Sequence, residues 1–250
     1  MSDLASVYVI SLKSSDSRRR LIKQQFEKTN TAFRFFDAID GRESFPELAS
    51  DYDMVRRLWL TSGKKPMPGE VGCYASHYSL WLKCVSEQRP LIVCEDDIHL
   101  HKDANEIIKK ALNNVDRYGF LRLESIEPGG SSLVVHRENE FSFRLMHDNY
   151  GGLRAYAISP KAASQLIKHR WYFPVDCFVG ANYIHNVDSF QMAPTLVVHH
   201  GDEITTIQEK KLQKTAWYRA PSREAYTIYK KIRLYLRYKY NCRKVIANQT

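Results

Sequence analysis

The chain has 250 residues, of which 44% are hydrophobic and 26% are charged. Both fractions lie near the average for globular proteins, which argues against a disordered chain and a fibrous one. No apolar stretch approaches the roughly 20 residues that span a bilayer, and residues 1–12 lack a basic segment ahead of an apolar core. The five cysteines form no C-x-x-C pair, which argues against a disulfide scaffold and a zinc knuckle. We therefore expect a cytoplasmic protein with one large domain.

The positive charge is concentrated at the C-terminus. The net charge is +9, and residues 219–250 hold nine Lys and Arg against the single acid Glu224, which is +8 of that total. We therefore predict a nearly neutral domain over residues 1–218 and a basic, tyrosine-rich helical tail over residues 219–250. Ile228, Ile232, Tyr235 and Leu236 form an apolar face at helical spacing, which is typical of helices on anionic membrane surfaces. A nucleic-acid surface with stacking aromatics and a last helix docked on the domain are the alternatives.

The elements predicted along the chain alternate between strands and helices. Residues 7–12 form an apolar, β-branched run typical of a buried strand, and a polar loop follows. A helix then carries an apolar stripe of Leu21, Ile22 and Phe26, and a strand near 32–38 ends at an Asp-Gly turn. This opening predicts an α/β domain with a mostly parallel sheet. The remaining predicted elements are a loop at 64–72, a helix over 74–85, a strand at 91–94, a helix at 104–115, a strand at 120–123, a hairpin over 131–146, a strand at 154–159, helices beginning at Pro160 and Pro174, and a last strand at 195–198.

Three acids, Glu95, Asp96 and Asp97, directly follow the most apolar strand. Ligands of α/β sheets bind beyond the carboxyl ends of the strands, and hard cations prefer carboxylate oxygens. Because alternate residues of an extended segment point to the same side, Glu95 and Asp97 are predicted to share one metal ion or metal–phosphate complex. The alternative is a solvated acidic turn.

The loop after the first strand is basic. Lys13, Arg18, Arg19 and Arg20 lie where a dinucleotide-binding fold would carry a glycine-rich turn. Guanidinium groups and a helix N-terminus both suit phosphate oxygens, so this loop is predicted to bind phosphate. An ordinary basic helix start explains the same residues.

Three later segments are further candidates. His199 and His200 are either core histidines or imidazole ligands that complete a carboxylate-rich metal site. Asp176 follows Pro174 as a helix cap or as a general base. Gly151 and Gly152 form a plain turn or a point where the backbone approaches a ligand closely.

Taken in order, the motifs VYVISLKSSDSRRR, FDAIDGRE, PGEVGCYASHYSLW, LIVCEDDIHL, GGLRAYAISPKAASQLI and PVD resemble glycosyltransferase family 25. The resemblance covers roughly residues 5–207. It implies a single GT-A-like α/β domain with a Rossmann-like nucleotide-binding half and an acceptor-binding half. Bacterial members add sugars, often galactose, to lipooligosaccharide.

The resemblance also implies roles for individual residues. Glu95 and Asp97 match the ends of an acid-x-acid metal motif, with Glu in place of the usual first Asp, and a Mn²⁺ or Mg²⁺ ion is the implied cofactor. Arg18 and Arg19 match the residues beside the donor nucleotide. The segment that borders the donor sugar corresponds to Gly69, Glu70, Gly72, Ser76 and His77.

The implied reaction is an inverting transfer from a UDP-sugar to a growing glycolipid. The family suggests UDP-galactose as the donor, and UDP-glucose or a UDP-N-acetylhexosamine is the alternative. A metal ion offsets the charge of the departing diphosphate, and a carboxylate accepts the proton of the acceptor hydroxyl. Asp176, by a looser analogy to inverting galactosyltransferases of this fold, then Asp148 and Glu124 are the carboxylates we consider for that role. A glycolipid acceptor would explain the basic tail, and it implies a protein peripheral to the cytoplasmic face of the inner membrane.

Two other classes of function remain open at this stage. A metal-dependent phosphohydrolase or nucleotidyltransferase also needs clustered carboxylates and cations. A nucleic-acid-binding protein would use the basic tail and predicts steeply salt-dependent binding, but it leaves the acidic motif unexplained, so we expect no nucleic-acid partner.

Overall fold

The computed structural model describes residues 6–43, 49–125, 132–147, 152–198 and 215–247. In this part of the chain an eight-stranded mixed sheet has the strand order β2-β1-β3-β7-β4-β8-β6-β5. The strands are β1 (Val7–Ser11), β2 (Arg34–Asp37), β3 (Leu91–Glu95), β4 (Phe120–Arg122), β5 (Ser132–Glu138), β6 (Phe141–Met146), β7 (Ala155–Ile158) and β8 (Phe190–Ala193). The α-helices used below are α1 (Asp16–Lys28), α2 (Met54–Leu60), α3 (Pro68–Glu87), α4 (Ala104–Tyr118), α5 (Pro160–Leu166), α6 (Val175–Gly180), α7 (Asn182–His185) and α8 (Ala220–Ala247).

The sheet is covered on both faces, which explains its continuous apolar strands. Side chains alternate between the faces of a strand, so Tyr8 and Ile10 of β1 belong to one core and Val7 and Val9 to the other. The first core includes residues of α3, α5 and α6, and the second includes residues of α1 and α4. The α/β class is therefore confirmed.

The prediction of a mostly parallel sheet is wrong. β1 pairs in parallel with β2 and β3, and β4 with β8, but the other four pairings of the described strands are antiparallel. One reason is the β5–β6 hairpin, whose short connection requires antiparallel strands. The other is β7, which runs back between β3 and β4.

Some predicted elements also need correction. Leu21, assigned to the buried stripe of α1, is 59% exposed, whereas Ile22 and Phe26 are buried. The predicted last strand at 195–198 is wrong, because only Val197 of this segment forms isolated bridges, to Leu100 and Glu124. The last described strand lies earlier in the chain and is β8. The short helices α2 and α7 were not predicted.

Helix α8 packs against the rest of the chain along one face. The Tyr226 hydroxyl lies 3.2 Å from that of Tyr172 and 3.0 Å from that of Tyr183. Arg237 donates two hydrogen bonds to the Asp188 carboxylate, at 2.6 and 2.9 Å. This is the docked helix considered above as an alternative, with a second face that remains exposed. Within the described ranges, no helix combines the length and the apolar character that crossing a bilayer requires.

Candidate active site

A cavity of about 460 Å³ opens at the carboxyl ends of β1, β2 and β3. Its size lies within the usual range for small-molecule sites, and its position is where α/β sheets bind ligands. The wall comes from the end of β1, the start of α1, the loop after β2, the start of α3 and the acidic segment after β3. The polar and charged side chains of the lining belong to Ser11, Ser15, Arg18, Asp40, Arg42, Cys73, Ser76, His77, Glu95, Asp96 and Asp97.

One wall of the cavity depends on two glycines in close backbone contact. A Cβ atom on Gly41 would overlap the Pro68 carbonyl oxygen, and a Cβ on Gly72 would overlap the Ile39 carbonyl oxygen. The loop after β2 and the first turns of α3 can therefore approach this closely only without side chains. Ser76 strengthens the contact, because its hydroxyl accepts a hydrogen bond of 2.9 Å from the Ile39 N–H.

Asp96 connects the acidic segment to β1 and α1. Its carboxylate accepts a hydrogen bond of 2.6 Å from the Ser11 hydroxyl and one of 2.8 Å from Arg18 Nη1. Arg18 thus lines the cavity while it is ion-paired. Asp96 therefore holds the acidic segment to β1 and α1, and Glu95 and Asp97 line the same cavity.

Glu95 faces two side chains of α3. Its Oε1 atom lies 3.5 Å from His77 Nε2. Together with the Cys73 thiol, these groups offer sulfur, nitrogen and oxygen atoms within 4.8 Å of one another. His77 is fully buried, so it contributes to the cavity only at the edge that faces Glu95.

The cavity end of α3 lies in a negative environment. Burial raises the pKa of the Cys73 thiol well above its usual value, and the charges of Glu95, Asp176, Glu70 and Asp97 add to that effect. The four carboxylates therefore act on one point of the cavity wall. Such an arrangement favours a bound cation.

Glu70 has its own counter-charge. It accepts a hydrogen bond of 2.9 Å from Arg57, which is buried under α3. Burial still raises the pKa of Glu70, and the nearby Asp176 contributes in the same direction. Neither Glu70 nor Asp176 is among the cavity-lining residues.

Glu124 is buried between two arginines. Arg154 donates to it from the backbone N–H at 3.1 Å and from Nε at 3.2 Å, and Arg122 Nη1 lies 3.8 Å away. Burial nevertheless raises the pKa of Glu124 to about 7. Gly152 is required here, because its φ is +72° and a Cβ would lie 3.0 Å from the Glu124 carboxylate.

Two residues of the predicted phosphate-binding loop are not among the lining residues of the cavity. Arg19 donates to the carbonyl oxygens of Ser11 and Leu12 and to the Asp37 carboxylate at 2.6 Å. Lys13 is largely exposed, with its Nζ 3.4 Å from Asp37. Both side chains therefore connect the end of β1 to β2.

The cavity thus brings together six residues of the predicted set: Arg18, Gly69, Ser76, His77, Glu95 and Asp97. The other described candidates are not among its lining residues; they are Lys13, Arg19, Arg20, Glu70, Gly72, Glu124, Gly152 and Asp176. Asp148, Gly151, His199 and His200 lie outside the described residues. Sequence reasoning missed five polar lining residues, although each lies within a quoted motif: Ser11, Ser15, Asp40, Arg42 and Cys73.

Comparisons with known proteins agree with the motifs. The family model described as glycosyltransferase family 25 (LPS biosynthesis protein) matches residues 4–179. The lipooligosaccharide biosynthesis protein lic2B of Haemophilus influenzae is 29% identical over 215 residues, which cover 78% of this chain and 76% of that protein. The lipooligosaccharide biosynthesis protein lex-1 of the same species is 25% identical, with 76% and 74% covered. Procollagen galactosyltransferase 2 of Homo sapiens is 26% identical, with 71% of this chain and 30% of that protein covered.

Proposed function

The chain belongs to glycosyltransferase family 25, and from this we propose that it transfers galactose from UDP-galactose to a lipooligosaccharide acceptor, with inversion and with a divalent metal ion. The names of the Haemophilus influenzae relatives support the acceptor class, and the name of the human relative supports the sugar. In the proposed GT-A-like arrangement, the half of the domain around β1, β2 and β3 binds the nucleotide. The other half binds the acceptor.

The observation that carries the proposal is the acidic end of β3 in the cavity. Glu95 and Asp97 present carboxylate oxygens there, while Asp96 is held by Ser11 and Arg18. Oxygen ligands suit Mn²⁺ and Mg²⁺, so the residues present fit the implied ion. When bound by Glu95 and Asp97, that ion would offset negative charge on the diphosphate.

The remaining chemistry is assigned to the chain's own residues. Arg18 lines the same cavity and offers a guanidinium to the phosphate oxygens of the donor. Asp176 is our choice of general base, because it is half-buried and no ion pair is recorded for it in the described part of the chain, whereas Glu124 is held by Arg154. As the acceptor oxygen attacks the anomeric carbon, Asp176 takes the hydroxyl proton. The bond from that carbon to the diphosphate breaks, and UDP leaves with the electron pair.

Transfer is tested with UDP-galactose, UDP-glucose and UDP-N-acetylglucosamine, each labelled in the sugar, and with a truncated lipooligosaccharide core. We expect UDP release and a labelled, β-linked product that requires Mn²⁺. Asp97→Asn is expected to abolish transfer, while the matched control Asp116→Asn, on the exposed side of α4, keeps it. Release of UMP or inorganic phosphate without sugar transfer would instead support a nucleotidyltransferase or a phosphohydrolase.

The exposed face of α8 is proposed to bind an anionic membrane surface. Ile228, Ile232, Leu236 and Tyr240 recur every four residues and are each more than half exposed. This face is opposite to the docked one, which contains the buried Leu234. The helix is also rich in Lys and Arg, so apolar contact and attraction to acidic headgroups would act together.

Vesicle co-sedimentation tests this surface. The triple variant Ile228→Gln, Ile232→Gln, Leu236→Gln is expected to weaken binding to phosphatidylglycerol vesicles at least about tenfold, since each side chain loses apolar burial worth roughly 1 kcal/mol. The control is Leu21→Gln with Leu82→Gln, which alters exposed leucines outside α8. Point variants are preferable to deletion of residues 219–250, because deletion would uncover Tyr172 and Tyr183. Equal binding by all three proteins would refute the assignment.

A further inference from the structure

A chain of buried polar groups connects the core to the acidic segment. The Trp81 indole N–H donates a hydrogen bond of 2.9 Å to the Tyr156 hydroxyl, and His77 Nδ1 lies 2.9 Å from the same oxygen. The three side chains are fully buried. The other ring nitrogen, His77 Nε2, lies 3.5 Å from Glu95 Oε1 and makes no hydrogen bond to a described residue. His77 therefore connects the buried Tyr156 hydroxyl to Glu95.

The donors and acceptors of these three side chains determine the tautomer of His77. An indole nitrogen can only donate, so the Tyr156 oxygen is the acceptor for Trp81. The single hydroxyl proton of Tyr156 then needs an acceptor, and His77 Nδ1 is the remaining partner recorded for it among the described residues. If Nδ1 carried the ring proton instead, the hydroxyl proton would be buried without an acceptor, which is unfavourable. Nδ1 is thus the acceptor, and the neutral ring carries its proton on Nε2.

We propose that His77 is a positioning residue that directs a neutral Nε2–H at Glu95 and orients its carboxylate in the cavity. The inference rests on the proposed function for the cation that Glu95 would meet. A protonated Nε2 has no lone pair for a metal, so Cys73, His77 and Glu95 do not act together as a three-ligand site. A shift of roughly half an ångström brings the 3.5 Å contact into the hydrogen-bond range.

The tautomer can be measured without metal or substrate. Nitrogen-15 NMR of histidine-labelled protein distinguishes the two neutral tautomers, and His77→Gln identifies the His77 signals by their loss. We expect the proton on Nε2 in the wild type. Tyr156→Phe, which removes the hydroxyl, is expected to give a mixture of tautomers. The matched control is Tyr74→Phe, because Tyr74 is equally buried and its hydroxyl has no hydrogen-bond partner in the described part. A wild-type ring with its proton on Nδ1 would overturn the proposal.

The positioning role is measured separately by titration of thermal stability with Mn²⁺ in the presence of UDP. Groups that orient a metal ligand typically contribute about 10–100-fold to metal affinity. We therefore expect a rise of that size in the Mn²⁺ concentration at half-effect for His77→Leu. His77→Gln, whose amide can donate, is expected to stay within a few-fold of the wild type. Equal midpoints for Leu and Gln would overturn the positioning role. A wild type without any Mn²⁺ response would refute the proposed metal dependence, and the NMR result would still decide the tautomer.

Discussion

Alanine substitution of the two neighbouring aspartates of the acidic segment, Asp96 and Asp97, is expected to change different properties of the protein. Asp96 accepts hydrogen bonds from Ser11 and Arg18, so Asp96→Ala removes a charged acceptor from the buried Ser11 hydroxyl and from the Arg18 guanidinium. Asp97→Ala instead removes one charge from a group of like charges at the cavity. Asp96→Ala should therefore lower stability, and Asp97→Ala should mainly lower ligand binding.

The size of the effect follows from the two contacts of Asp96. The hydrogen bond from buried Ser11 to a charged group is worth about 1.5–3 kcal/mol. The Arg18 pair is worth less, about 0.5–1 kcal/mol, because the Arg18 side chain is 31% exposed and solvent screens it. A loss of roughly 3 kcal/mol corresponds to a fall in Tm of about 6–12 °C for a domain of this size. Removal of like-charge repulsion offsets part of the cost of Asp97→Ala, whose Tm should fall by less than half as much.

Thermal denaturation of both variants, alone and with Mn²⁺ and UDP, measures the two effects together. Asp96→Ala is expected to melt lower and still respond to Mn²⁺ with UDP, whereas Asp97→Ala is expected to lose that response. Equal destabilisation by the two substitutions would refute the division of roles within the segment. So would a full ligand response in Asp97→Ala.

Three further outcomes are expected. Gly72→Ala should cost at least about 2 kcal/mol in urea unfolding, because its Cβ would overlap backbone next to Gly41, and an unchanged midpoint would contradict that contact. Burial raises the pKa of Glu124 to about 7, so its proton is held more tightly in the folded protein. The free energy of unfolding of the wild type, measured relative to that of Glu124→Gln, should therefore be highest below about pH 4.5 and fall by about 2–3 kcal/mol between pH 5 and 8. A difference that does not change with pH would exclude that titration. Arg237→Ala should speed hydrogen exchange in the second half of α8 by removing the two bonds to Asp188, and unchanged exchange would show that other contacts hold the helix.

The sequence predicted the elements better than their arrangement. The apolar runs of β1 and β3 identify buried strands because both faces of the sheet are covered. Nothing in the run Ala155–Ile158 indicates its direction, so the antiparallel position of β7 depends on tertiary pairing. The β-branched residues at 195–198 suit a strand better than Phe190–Ala193 does. The latter segment nevertheless forms β8, because it lies between β4 and β6.

The candidate site was predictable where it is local and not where it depends on distant contacts. Acids directly after an apolar strand indicate a ligand site, and Glu95 and Asp97 do line the cavity, although their roles stay predictions. The engagement of Asp96 depends on Ser11, which is 85 positions away. The contact of His77 with Tyr156 spans 79 positions. Such pairs arise from the tertiary arrangement of strands and helices, which periodicity does not encode.

Gly69 differs from the other glycines of the cavity wall. It lies in the first turn of α3 and lines the cavity, and a Cβ added there would meet no atom within 4 Å. Alanine is favoured over glycine inside helices by about 1 kcal/mol, so a methyl group there would strengthen the helix. The same methyl group would occupy volume in the cavity. A substitution that stabilised the helix at this position would thus reduce the volume of the cavity. The glycine at position 69 is therefore explained by the space it leaves for a ligand and not by a requirement of the fold.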